Sequence, residues 1–101
     1  MRRWHKPIPL SKLHAGRVPD TPGVFVLLED EGNLASVLKI SPARSLKRSF
    51  ERELDPPAGY QPAYPSAMMF FETFSEVAEA ERLLGEYKRR HGRNPALNSP
   101  Y

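Results

Sequence analysis

Cysteine is absent from the 101 residues. That absence excludes disulfides and thiolate metal sites, and it permits a reducing compartment without requiring one. A cytoplasmic location is the expectation. Also missing is any apolar run of membrane-spanning length. The basic opening MRRWHKPIPLSKLH lacks the unbroken hydrophobic stretch of a signal peptide, so a soluble protein without a membrane partner is expected. A strong excess of one charge is lacking as well, because 15 Lys and Arg stand against 12 Asp and Glu and leave +3. Such a balance is too mild to argue for a nucleic-acid partner by itself. Chain length leaves no room for a second independent core.

What is present is a hydrophobic content of 40%, enough for one two-layer core, and 11 prolines that imply long, rigid connections. Four of those prolines (Pro7, Pro9, Pro19, Pro22) fall within residues 1–22, among the apolar anchors Trp4, Ile8, Leu10 and Leu13. This segment reads as an irregular arm packed on a domain of residues 23–101, with one short helical turn after Ser11.

GVFVLL (Gly23–Leu28) is rich in β-branched and aromatic residues, EDEGN supplies turn chemistry, and LASVLKI resumes the apolar run. A β-hairpin is expected over Gly23–Glu29 and Leu34–Ile40. Ser41 can cap a helix whose first residue is Pro42, since proline at that position loses no hydrogen bond. The helix is expected to reach Leu54, where Asp55-Pro56-Pro57 stops it. AMMFFETF reads as a third strand, Ala67–Thr73, after a Pro-rich connection. Ser75 then caps a second helix, Glu76–His91, and Gly92 ends it. The expected fold class is α/β, a small three-stranded sheet in β-β-α-β-α order flanked by helices.

The basic residues are clustered: Arg2, Arg3, Lys6, Lys12 and Arg17; Arg44, Lys47, Arg48 and Arg52; Lys88, Arg89, Arg90 and Arg93. On the first helix Leu46, Phe50 and Leu54 repeat every four residues and face the core, while Arg44, Arg48 and Arg52 repeat on the other side. That stripe is either a solvated face or a phosphate-contacting one. On the second helix the expected core face is Val77, Ala80, Leu83, Leu84 and Tyr87. Glu79 can pair with Arg82, and Glu86 with Arg89 or Arg90, which leaves Glu81 at the edge of the face without a cation and beside Gly85. Glu81 is then a candidate for a metal or a partner, or a carboxylate reaching water. His5, His14 and His91 show no metal-ligand spacing. Trp4, Tyr60 and Tyr64 either stack on bases or pin loops to the core.

Four of these segments, in this order, resemble the motifs of the GIY-YIG nuclease superfamily: PGVF (Pro22–Phe25), LKIS leading into RSLKRSF, EAERLL and PALN. The resemblance covers nearly all of the chain after the arm. It implies a GIY-YIG-like fold and phosphodiester chemistry in which two tyrosines flank the attacking water, an arginine holds the phosphate and a glutamate holds one divalent metal, commonly Mg²⁺.

Carried over residue by residue, the first tyrosine falls on Phe25 and the second on Lys39, with Ser41 at its motif's glycine. The helix leucine falls on Leu46 and the arginine on Ser49, with Arg48 one residue away and about 100° around the helix. The glutamate falls on Glu81, the expected metal ligand, and the tail asparagine on Asn98. Lys39 is a candidate phosphate ligand or base. The resemblance therefore implies a degenerate nuclease that binds DNA or RNA through Arg44, Lys47, Arg48, Arg52, Lys88, Arg89 and Arg90 and needs no cofactor to do so. An active Mg²⁺ endonuclease using Arg48 and Glu81, or a scaffold for a protein partner, is the alternative.

Overall fold

A computed structural model of the chain describes residues 4–54 and 63–98. Gly23–Leu28 (β2) lies at the centre of a four-stranded antiparallel sheet, between Val37–Ala43 (β3) and Ala67–Glu72 (β4). The expected hairpin and third strand are therefore present, although β3 starts at Val37 and not Leu34, and β4 ends at Glu72 and not Thr73. A fourth strand, Ile8–Pro9 (β1), pairs with β4 and gives the order β1-β4-β2-β3. Hydrogen bonds from His5 N–H to Phe70 O (2.7 Å) and from Leu10 N–H to Ser66 O (2.9 Å) extend that contact on both sides. Ile8 is completely buried there. The expected three strands become four because Pro9, between Ile8 and Leu10, turns its main chain away from β4, where a missing N–H breaks no ladder bond.

Every residue of β2 is buried, which its VFVLL composition allows because both faces of the sheet are covered. Phe25 and Leu27 point to one face, against Leu46 and Phe50 of the helix Leu46–Leu54 (α1). Val24, Val26 and Leu28 point to the other, against Ala80, Leu83, Leu84 and Tyr87 of the helix Glu76–His91 (α2). The two helices thus lie on opposite sides of the sheet. A 3-10 helix, Lys12–Arg17, joins α1 on the first face.

α1 begins four residues later than Ser41-Pro42 predicts. Ser41 pairs with Phe25, Pro42 with Val24 and Ala43 with Gly23, so the strand continues where a helix was expected. Pro42 tolerates this because alternation from Ile40 puts its nitrogen on the outer side of an edge strand. Ser45 caps the helix instead: its Oγ accepts from Arg48 N–H (3.2 Å) and donates to Asp20. Arg44 consequently precedes the helix, and only Arg48 and Arg52 share a helical face.

Gly23 is the residue that lets α1 come so close. A Cβ there would collide with the Phe71 carbonyl oxygen and stand 2.8 Å from Leu46 Cδ1. α2 ends at Gly92, whose φ of 75° suits glycine and whose N–H donates to Lys88 O. Ser75 occupies its N-cap position without a side-chain bond to the helix. Val77, expected in the core, is 57% exposed. The stop at 55–57, Tyr60, Arg2 and Arg3 lie outside the described residues.

Candidate nucleic-acid interface

The register of β2 and β3 brings two of the candidate site residues together. Leu27 pairs with Lys39 and Leu28 with Val37, so Leu38 is an extra residue, a bulge that turns both Leu38 and Lys39 toward the α1 face. Lys39 Nζ stands 5.9 Å from the centre of the Phe25 ring and 3.5 Å from Glu53 Oε2 on α1. Phe25 is only 3% exposed and offers no hydroxyl. The ammonium is therefore shared between a ring face and a carboxylate, in the space between sheet and helix.

Ser49, the residue in register with the resemblance's arginine, is 8% exposed and faces the same interior. A serine fits there; a phosphate-holding cation is not provided. Arg48, one residue earlier, is exposed, as the 100° turn between helix neighbours allows. Its side chain makes no ion pair among the described residues.

Asn98 is bonded to the main chain of β3. Its Oδ1 accepts from Ile40 N–H (2.9 Å) and its Nδ2 donates to Ile40 O (2.8 Å), while Leu97 N–H donates to Leu38 O (2.7 Å). The side-chain amide thereby behaves as a peptide group added to the outer edge of β3. Both of its polar ends are occupied by main chain.

Glu81 is exposed on α2 and has no ion-pair or hydrogen-bond partner among the described residues. Nothing crowds Gly85 beside it, as expected. Arg82 takes up both of its helix neighbours, Glu79 (3.1 Å) and Glu86 (2.7 Å), so Glu86 pairs backward with Arg82 and not forward with Arg89 or Arg90. No group of three His, Asp or Glu side chains that could hold a metal occurs among the described residues. A lone exposed carboxylate does not build an Mg²⁺ site without oxygen ligands from elsewhere. Since α1 and α2 cover opposite faces, Arg48 and Glu81 are presented on different sides of the sheet.

The helix start itself is closed to anions. Leu46 N–H donates to Thr21 O (2.9 Å) and Lys47 N–H to Pro19 O (3.0 Å), while Ser45 takes the Arg48 N–H. These are the N–H groups that would otherwise cradle a phosphate. What α1 offers a polyanion is side chains alone: exposed Arg44, Arg48 and Arg52 with half-buried Lys47, none of them in an ion pair among the described residues. Lys88, Arg89, Arg90 and Arg93 are exposed at the end of α2, on the other side of the sheet. The α1 and α2 basic clusters therefore lie on separate surfaces.

Sequence reasoning missed the Lys39–Glu53 pair and the Asn98–Ile40 clasp because both join residues far apart in the chain. No family model matches the sequence, no curated protein matches it and no solved structure matches the fold.

Proposed function

We propose that the chain is a GIY-YIG nuclease-like domain without catalytic activity, and that it binds nucleic acid through the exposed arginines of the α1 surface. The observation that carries this reading is the contrast between the two sides of α1. Inward, the place of the second tyrosine holds Lys39, neutralised by Glu53 above a phenyl ring, and the arginine's place holds Ser49. Outward, exposed Arg44, Arg48 and Arg52 make no ion pair among the described residues. The first arrangement lacks the hydroxyls and the preorganised cation that phosphodiester hydrolysis uses, and losing one such group typically slows an enzyme by about 10²–10³. The second is what a phosphate backbone requires. Lys88, Arg89 and Arg90 would serve as a further contact for a long polymer reaching around the domain.

The test is fluorescence anisotropy with labelled single- and double-stranded DNA and RNA across a series of salt concentrations. Binding should weaken steeply with salt, and Arg48→Ala combined with Arg52→Ala should lower the slope of log affinity against log salt by about 2. Incubation of the same nucleic acids with Mg²⁺ should leave them intact. Cleavage abolished by both Glu81→Ala and Arg48→Ala would overturn the degenerate reading, and absence of binding to every probe would favour the protein-partner reading.

A further inference from the structure

A notch of about 450 Å³ lies beside β1 and β4, and its lining includes Trp4, His5, Lys6, Arg17 and Glu72. We propose that this notch binds a nucleotide, with the base stacked on His5 and the phosphate held between Lys6 and Arg17.

Three features support this assignment. First, His5 is already one layer of a stack: its ring lies 4.7 Å from that of Phe70 with 13° between the planes, and the residue is otherwise exposed. A planar base laid on the outer face would make the third layer, and stacking of this kind tolerates any base. The ring's orientation is fixed, because His5 Nδ1–H donates to Lys6 O at 2.8 Å and His5 N–H is anchored to Phe70 O. Trp4, set edge-on against Phe71 at 4.6 Å, supplies a second aromatic wall.

Second, Lys6 and Arg17 are exposed and neither side chain has an ion pair or hydrogen bond among the described residues. Arg17 ends the 3-10 helix and Lys6 follows His5, so two unneutralised cations stand beside the stacking platform. Third, the single acid of the notch is already oriented: Glu72 Oε2 accepts from Thr21 Oγ1 at 2.8 Å. Its other oxygen can accept from an exocyclic amine, which favours an amino-bearing base over a bare aromatic ring. Two cations against one carboxylate leave the notch positive, and its volume lies in the range of small-ligand pockets.

None of the α1 arginines lines this notch, so the two proposals can fail separately. Trp4 is the chain's one tryptophan and reports the notch directly by its emission. Titration with AMP is expected to change that emission saturably, at concentrations below those needed for inorganic phosphate. Arg17→Ala and His5→Ala should each weaken the response by about tenfold, one through the phosphate and one through the stack, with far-UV circular dichroism unchanged. Arg48→Ala should leave it unaltered. A single-stranded tetranucleotide that binds much tighter than AMP identifies the source as a strand, and equal affinity identifies it as a free nucleotide. No saturable change with either ligand, an equal response to inorganic phosphate, or a response preserved in both His5→Ala and Arg17→Ala would overturn the proposal.

Discussion

The two edges of the sheet are closed by different means. Along β1 the donor that could pair with another chain is removed covalently: Ile8 and Leu10 bond inward, and the outward position between them is Pro9, which has no N–H and whose carbonyl accepts from Ser11 N–H (2.9 Å). Along β3 the outward groups are present and must be covered. Leu38 O, Ile40 N–H and Ile40 O are taken by Leu97 and by the Asn98 side chain, and Pro42 removes the next donor. One edge is blunted permanently, the other only while a tail stays in place. The difference shows that an edge can be protected by what a residue lacks or by what a distant residue brings, and only the second is reversible.

Deleting residues 97–101 should break the comparison most. It exposes the β3 edge, removes the half-buried Leu97 and leaves Ile40 unpaired, a loss of about 3 kcal/mol in urea unfolding. Self-association should appear with it, measurable by light scattering after gel filtration. Asn98→Leu keeps the tail and its Leu97 contact but removes both amide bonds. About 2 kcal/mol should be lost, since the Ile40 N–H and C=O are left facing an apolar group. An unchanged urea midpoint would mean that the clasp contributes nothing to stability. Pro9→Ala adds one outward donor to the opposite edge without breaking a ladder bond. Its cost should be near 0.5 kcal/mol, from the greater freedom of the unfolded chain, with the monomer retained. Dimerisation of Pro9→Ala as strong as that of the tail deletion would show that the β1 edge depends on this proline as much as the β3 edge depends on its cover.

The legible parts of this fold were those written locally. Alternating and β-branched runs marked β2, β3 and β4, the four-residue spacing of Leu46, Phe50 and Leu54 marked the buried side of α1, and Gly92 marked the end of α2. β1 was hidden because prolines 7 and 9 are strand-breaking signals everywhere except on the outer side of an edge. Ser41-Pro42 carried a sound helix-start signature that lost to strand pairing with Phe25 and Val24, after which Ser45 supplied the cap. Of the candidate site, the residue types at 25, 39 and 49 were legible, and under the proposed nuclease-like reading they argue against catalysis. The pairing of Lys39 with Glu53, and the bonding of Asn98 to Ile40 across 58 residues, follow from tertiary packing that no local pattern encodes. The notch at His5 is likewise assembled from three segments and has no motif.

The clasp at Ile40 also has a chemical lifetime. Asparagine followed by a small residue, as Asn98 is by Ser99, is prone to spontaneous deamidation, which replaces the Nδ2 donor with a second carboxylate oxygen. Where an N–H once met the Ile40 carbonyl, two oxygens would then repel each other at 2.8 Å, and a negative charge would stand at the rim of the sheet. Asn98→Asp reproduces this product, and a urea midpoint below that of the parent protein is the expected outcome. Ageing of a single side chain would therefore unfasten one edge of the domain while the proline-closed edge stayed as it was made.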